Sequence, residues 1–416
     1  MSHLRFASLP LLGALLLAAG SCSGKSPITP PVQVARPSAQ ATAGVTFRVT
    51  APASTPAGDT VFVAGDFQGW NPRDPAYALT KQPDGRWTIT LALPAGTPIQ
   101  FKFTRGGWDR VEKGPNGEEL SNRTLTPDGV STYDFTVARW ADISGTPGTI
   151  VGHVESFSYA PFLGGRKIWV YLPPDYASTT RHYPVLYMHD GQNLFDVRTS
   201  FAGEWQVDEA CEQLIASGEI RPVIVIGIEN GGASRLTEYT PWPASGYGGG
   251  GGDAYLTAIR DLLKPEVDRR YRTLVGESNT FMAGSSLGGL ISAYAGYHYS
   301  ETFRRVACVS PSLWWDNRHM IADATARGRP DVVRWYQDMG TIEEGTTRDA
   351  NGNGIDDYIE DLRAMRDVLV GQGLVIDVDL KSIEAAGHRH NESYWAQRVP
   401  GMLRFLVGAP NTTSVP

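Results

Sequence analysis

Met282-Ala283-Gly284-Ser285-Ser286-Leu287-Gly288-Gly289 is the stretch on which the fold turns. It holds G-x-S-x-G centred on Ser286, with the apolar run Thr280 to Ala283 before it and the Ala/Leu/Ile-rich run Leu287 to Tyr299 after it. A strand turning this tightly into a helix strains the serine and crowds its neighbours. Gly284 and Gly288 remove the side chains that would clash, and Ser285 lies out of register with them. Ser286 Oγ then projects from the carboxyl end of a sheet, above a helix N-terminus that favours developing negative charge. A serine at neutral pH needs a base, as a rule a His oriented by a carboxylate, and in this arrangement the chain order is Ser, acid, His. His298 falls in the helix after the turn; His388 and His390 lie on a loop between a strand, Val375 to Ile383, and a last helix.

Outward from the turn, strand-like and helix-like runs alternate. They are Ile168 to Leu172, Val185 to Met188, a helix near Glu204 to Ser217, Val223 to Ile228, a helix from Ala254 to Tyr271, and the elbow itself. This pattern predicts an α/β domain with a doubly wound, mostly parallel sheet covered on both faces, over residues 151–408. Upstream, residues 44–138 carry short β runs such as Thr60 to Val63, Arg86 to Leu91 and Ile99 to Phe103, parted by Pro83-Asp84-Gly85 and Pro94-Ala95-Gly96. They predict a small all-β, immunoglobulin-like sandwich, joined to the larger domain by a linker at 139–150. Residues 1–21 have the layout of a secretory signal: Arg5, then the apolar run Leu9 to Ala19, then small residues before Cys22. Residues 22–43 read as a flexible tether.

Composition narrows the function. The 416 residues carry a formal net charge of -7 and no basic run, which argues against nucleic-acid binding. The 46 Gly and 11 Trp residues mark tight backbone positions and cores or stacking surfaces. Three cysteines (Cys22, Cys211, Cys308) at these spacings form neither a disulfide framework nor a zinc site. The glycine run Gly248 to Gly252 lacks a following Gly-Lys-Ser/Thr and is not a phosphate loop.

Five motifs together resemble the esterase family of α/β-hydrolases, which includes feruloyl and acetylxylan esterases, enterobactin esterases and mycolyltransferases. They are His189 to Asp196 (HDGQNLFD), Glu238 to Pro241 (EYTP), Gly284 to Gly289, Gly340 to Glu343 (GTIE) and His390 to Trp395 (HNESYW). The resemblance covers about residues 151–408. It implies a serine esterase with Ser286 as nucleophile, His390 as base (five positions before Trp395, where His388 does not fit) and Glu343 as acid. Glu344, Asp338 and Asp316 stay open as alternatives for the acid. Two backbone donors are needed for the oxyanion: Leu287 N–H follows the nucleophile, and the resemblance assigns Gln192 N–H as the other. His189 reads as a buried, hydrogen-bonded residue. Arg235 and the pair Trp314-Trp315 are candidates for a substrate pocket. Cys22 after Ala19-Gly20-Ser21 resembles the lipobox of bacterial lipoproteins and implies an exported chain held at a membrane only by a lipid on Cys22.

Two further patterns stand outside the triad. Asp349-Ala350-Asn351-Gly352-Asn353-Gly354-Ile355-Asp356-Asp357-Tyr358-Ile359-Glu360 fits D-x-[DN]-x-[DN]-G-x5-E. Its candidate ligands to a structural Ca2+ are Asp349, Asn351, Asn353, the Ile355 carbonyl, Asp357 and Glu360; no cofactor is expected in the chemistry. Residues 60–123 resemble starch-binding modules and their glycogen-binding relatives through Gly65 to Pro72, Gly85-Arg86-Trp87, Phe101-Lys102-Phe103, Val111-Glu112 and Asn122-Arg123. That resemblance implies a sugar site at Trp70, Lys102 and Asn122. Lys113 stands where the family has a second stacking Trp. The expected activity is hydrolysis of acyl or feruloyl esters of carbohydrate. The rival readings are a siderophore esterase, an acyltransferase to a sugar and a glycan-binding lipoprotein without catalysis.

Overall fold

The computed structural model describes residues 42–408 except 116, 118, 119, 130, 144–147, 201, 202 and 346. The leader, most of the tether and Cys22 lie outside the described residues. The larger domain is built on eight strands: β1 (His153–Ser158), β2 (Lys167–Leu172), β3 (Val185–His189), β4 (Ile224–Ile228), β5 (Thr280–Ser285), β6 (Arg305–Val309), β7 (Arg334–Gly340) and β8 (Leu380–Ala385). Their order is β1-β2-β4-β3-β5-β6-β7-β8. The pairs β1–β2 and β2–β4 are antiparallel, and every later pair is parallel. This is the α/β-hydrolase architecture expected from the sequence.

Burial explains the pairing. Every residue of β3, β4 and β5 is buried, as parallel strands covered on both faces must be, whereas β1 is polar and open at the sheet edge. One face of the sheet packs against Leu290 and Ile291 of helix Leu287–His298, Met320 of helix Trp315–Arg327 and Met365 of helix Asp357–Gly371. The other packs against Val207 and Leu214 of helix Val207–Ala216 and against Trp395 and Met402 of helix Glu392–Val407. The turns after β3, β5, β7 and β8 therefore emerge at one edge of the sheet, the carboxyl edge where open α/β sheets build their sites.

Two elements differ from the sequence pattern. The helix expected from Ala254 to Tyr271 runs as Gly252–Ala258, a π-helical turn Ile259–Leu263, and Lys264–Arg270. Pro265 has no N–H to give the previous turn, and one widened turn absorbs the mismatch. The strand expected from Val375 begins only at Leu380. Val375 and Val378 are exposed, and the chain turns through Asp377 at φ 62°.

The smaller domain is a sandwich of a four-stranded and a three-stranded sheet. The first orders Thr80–Lys81, Trp87–Pro94, Thr42–Thr50 and Ser131–Thr136; the second orders Phe62–Gly65, Ile99–Thr104 and Arg123–Leu125. Alternation along Thr42–Thr50 buries Val45, Phe47 and Val49 against Phe101 and Phe103 of the other sheet. The Phe47 and Phe101 rings meet edge to face at 5.1 Å, a favoured aromatic geometry. The linker expected at 139–150 begins later than its sequence suggests. Arg139–Trp140 pairs with Glu112–Lys113, and Trp140 is fully buried in the sandwich core. The sandwich also touches the larger domain directly: Lys113 Nζ donates to Val197 O at 2.6 Å and to Ser200 O at 3.2 Å. Lys113, at the position where the starch-binding resemblance would put a second stacking Trp, thus docks the sandwich on the larger domain. Among the described residues no helix is long and apolar enough to cross a membrane.

Candidate active site

Ser286 sits between β5 and helix Leu287–His298 at φ 56°, ψ -124°, a conformation an L-residue holds only under strain. The tightness of the turn shows at Gly284: a Cβ there would lie 2.7 Å from Gly288 O and 2.7 Å from the His189 ring. Ser286 is half-buried, and its Oγ lies 3.4 Å from Ser312 Oγ, its one hydrogen-bond contact among the described residues. Leu287 is the first residue of the helix, so its N–H has no intrahelical acceptor.

Glu343 and His390 are brought together. His390 Nδ1 lies 2.5 Å from Glu343 Oε2, and His390 N donates to Glu343 O at 3.0 Å. The Glu343 carboxylate is 3% exposed; its other oxygen accepts from Ser310 Oγ at 2.7 Å and from Gly340 N. Burial alone would push this carboxyl up. The charge of His390 and the hydrogen bonds from His390, Ser310 and Gly340 outweigh it and hold Glu343 below its ordinary value. Gly340 has no room for a side chain, because a Cβ would run into His388 O. The other acids are engaged elsewhere: Glu344 with Tyr358 OH at 2.5 Å, Asp316 with His319 at 2.8 Å and Asp338 with Arg398 at 2.7 Å. His388 packs on Tyr394. With Nδ1 taken by Glu343, Nε2 is the His390 nitrogen left for proton exchange, and among the described residues no hydrogen bond joins His390 to Ser286.

The turn after β3 is rigid. Asp190 is left-handed at φ 56°, ψ 45°, and Gly191–Asn193 forms a single 3-10 turn. Arg235 grips Asp190 through two bonds, at 2.7 Å and 2.8 Å, and Asn230 adds a third at 2.7 Å. Burial pushes the Asp190 carboxyl up, but Arg235 beside it holds it below its ordinary value. Arg235, expected as a pocket residue, therefore positions the Gln192 turn. Gln192 is 3% exposed, and its Oε1 accepts from Asn230 N at 3.2 Å. His189 is buried beside Tyr255 OH at 3.0 Å, and burial pulls it down to about 4, so its ring is neutral in ordinary buffers.

Two expectations need correction. Trp315 is no pocket residue: it is 2% exposed in the main core, with its indole N–H donated to Trp242 O at 2.8 Å. Trp314, 36% exposed, does face a cleft of about 480 Å³ that Tyr247, Glu344, Arg348 and Tyr358 also line. Lys102 cannot reach a sugar: it is fully buried, donates to Leu120 O, and burial pulls its amine down to about 8 against the pull of Glu112 and Glu392. Trp70 is half-buried against Trp108 at 6.3 Å, and Asn122 donates to Gln100 Oε1 at 3.0 Å. In the acidic loop, Asp349 accepts from Gly352, Asn353 and Gly354 N–H groups. Asn351 and Asn353 donate to Glu360, and Asp357 accepts from Ala350 N and pairs with Arg348. The Ile355 N–H donates to Asn353 Oδ1 at 2.8 Å, and its carbonyl was the part expected as a ligand.

Sequence reasoning missed the residues behind the acid. Arg398 donates to Asp338 at 2.7 Å and to Ser310 Oγ at 3.0 Å, and Trp395 Nε1 reaches the same hydroxyl at 3.2 Å. A signal existed: Arg398 lies on the stripe of Trp395, Val399 and Met402 in an amphipathic helix, where a charge implies a buried partner. Ser310, at φ 40°, carries no motif of its own.

Glu392 is a second buried carboxyl beside the site, 5% exposed and bonded to Asn193 Nδ2 at 3.1 Å. Burial, with Asp190 adding to it, pushes Glu392 up to about 7. Folding then favours its protonated form, so its contribution is full below pH ~4.5 and is lost as pH rises toward 7. We expect Glu392→Gln to be close to neutral at pH 4.5 and to gain stability over the parent by about 3 kcal/mol by pH 8. Urea unfolding at stepped pH measures the difference; a constant offset would contradict it.

Comparison with known proteins adds the following. The profile of the family described as "Putative esterase" matches residues 163–406, more than half of the chain, and that described as "Starch binding domain" matches residues 42–133. An alpha-amylase of Niallia circulans is 52% identical over 99 residues, 24% of this chain but 8% of the amylase, so the chain spans a small part of that relative. An uncharacterized protein of Bacillus subtilis (strain 168) is 27% identical over 256 residues, 60% of this chain and 96% of its own length. Among solved structures, an enterobactin esterase of Shigella flexneri in the presence of enterobactin superposes with a TM-score of 0.50 at 16% identity, over 83% of this chain and 87% of that one. At that identity it shows a shared fold.

Proposed function

The chain belongs to the esterase family, and from that premise we propose that it is a serine hydrolase that cleaves acyl or feruloyl esters of carbohydrate through an acyl-enzyme. The observation that carries the mechanism is the bond of 2.5 Å between His390 Nδ1 and the buried Glu343, on turns that share a sheet edge with Ser286. His390 takes the Ser286 proton as Oγ attacks the ester carbonyl. The Leu287 and Gln192 N–H groups receive the oxyanion at no cost of reorganisation, because a helix start and a locked turn hold them. His390 then protonates the leaving alcohol, and water repeats the sequence on the acyl-enzyme.

The carbohydrate half of the proposal rests on the starch-binding profile at residues 42–133 and on the cleft. Exposed Trp314 and Tyr247 rings beside Arg348 and Glu344 offer stacking faces and polar edges, which suit a sugar. The fold of the enterobactin esterase favours a siderophore ester as a second reading. Initial rates on acetylated xylan, feruloylated arabinoxylan and ferric enterobactin separate the two. We expect acid release from one of the polysaccharides; turnover of ferric enterobactin alone would replace the first reading by the second. Acylated products in the presence of added sugar would instead assign acyl transfer. The proposal also places the chain outside the cytoplasm on a lipid at Cys22, which metabolic labelling with palmitate tests: no label on the parent chain would refute it.

A further inference from the structure

Behind the oxyanion turn lies a group of carboxylates that the proposed chemistry leaves unused. Glu204, Asp208 and Glu209 each offer one oxygen, and the three lie within 4.8 Å of one another. Glu204 is 7% exposed and Asp208 is fully buried. The outer oxygens are satisfied: Glu204 Oε2 by Thr149 Oγ1 at 2.7 Å and Asp208 Oδ2 by Val151 N at 2.8 Å. The inner ones, Glu204 Oε1, Asp208 Oδ1 and Glu209 Oε2, are shut off from solvent and have no hydrogen-bond partner. Buried acceptors left unpaired are costly, and three of one sign cost more than their sum.

From these inner oxygens we infer a structural site for a hard divalent cation of the calcium class, held by Glu204, Asp208 and Glu209. The donors are all carboxyl oxygens, which favours calcium or magnesium over the softer metals. Oxygens around one calcium ion at about 2.3–2.6 Å span the separations seen here. The charge of Lys113 acts on Glu204, while its Nζ donates to the Val197 and Ser200 carbonyls; Arg198 binds Asp196 at 2.6 Å. The start of helix Val207–Ala216 offers only the partial charge of its first turn.

The position gives the ion a task. Glu204 precedes Trp205, whose N–H bonds Asn193 O at 2.9 Å, and Val207 N bonds Leu194 O at 3.0 Å. Thr149 and Val151 belong to the strap that leads into the larger domain. A cation here ties that strap, Glu204 and one helix start into a single unit behind Gln192.

The test uses the full chain stripped with EDTA and titrated by calorimetry with calcium chloride, and separately with magnesium chloride. The acidic loop is a second claimant on calcium, so Asp349→Asn/Glu360→Gln is titrated beside the parent. We expect this variant to keep one bound ion per chain, with a calcium-dependent rise in Tm. Glu204→Gln/Asp208→Asn, of unchanged volume, should lose that ion and that rise while keeping its far-UV circular dichroism. Absence of binding to the loop variant, or parental binding by the cluster variant, would overturn the site. So would a loop variant that binds no ion but whose stability in EDTA falls from pH 5 to pH 8 more than the cluster variant's, because a shared proton would then hold the carboxylates.

Discussion

Ser286→Ala should lower kcat on p-nitrophenyl acetate by about 10⁴- to 10⁶-fold, on the order of 5.5–8 kcal/mol of transition-state stabilisation. In the proposed mechanism the proton taken by His390 and the bond made to the acyl carbon both start at this oxygen, so no neighbour can replace it. Ser285 lies in β5 and is buried, and Ser312, whose Oγ is 3.4 Å from Ser286 Oγ, is 4% exposed. The fold should survive the change, because Ala leaves the backbone as strained as before. Ser286→Gly sharpens the test. Glycine takes φ 56° without penalty, so it should stabilise the protein by about 1 kcal/mol while abolishing turnover as fully as Ala. Opposite signs on stability and rate mark a side chain kept for chemistry at a structural cost. Parental activity in either variant, measured by release of p-nitrophenol, would remove Ser286 from the mechanism.

What the sequence could reveal depended on how local each cause is. The elbow was legible because much of its constraint is contained in five residues: the strain at Ser286 and the approach of Gly284 to Gly288 O act between chain neighbours. Glu343 and His390 were reachable only through the resemblance, since 47 positions separate them and no spacing rule joins two loops that meet at a sheet edge. Trp314 and Trp315 show where local reading stops. The two indoles are adjacent in sequence and alike in chemistry, yet one faces a cleft and the other fills the core beside Trp242. Which side each takes is set by the start of a helix whose residues Asp316, Asn317 and Arg318 all have positive φ, a conformation absent from any propensity scale. Lys102 failed for a different reason. Its residue type matched a sugar-binding position, but burial is decided by what packs on the sandwich, and here that includes the larger domain through Lys113. Arg139–Trp140 was read as linker because two residues are too short for a period, although Trp140 closes a core.

Arg398→Ala should destabilise the protein by about 3–5 kcal/mol, the largest loss expected of a single side chain at the site. Asp338 is fully buried, and its Oδ1 accepts from Arg398 at 2.7 Å while its Oδ2 accepts from Tyr336 OH at 2.7 Å. Burial already pushes the Asp338 carboxyl up, with Arg398 the main force against it. Without the guanidinium the carboxylate is an uncompensated charge among Tyr336, Cys308 and Ser310, and it will take a proton at a higher pH than before. The deficit should therefore be greatest at alkaline pH and shrink as the pH falls and Asp338 becomes neutral. Ser310 links this loss to the chemistry. Its hydroxyl accepts from Arg398 and donates to Glu343 Oε1 at 2.7 Å, so removing Arg398 frees the group that orients the acid. We expect kcat to fall by about tenfold or more with KM little changed, the pattern of a positioning residue. Arg398→Met combined with Asp338→Asn removes both charges at similar volume and should recover most of the stability but not the rate, because Met cannot hold Ser310. Urea unfolding between pH 5 and pH 9, read beside kcat for the parent and the two variants, separates these effects. Equal losses in Arg398→Ala and the double variant would mean that the uncompensated charge of Asp338 is not the source of the loss.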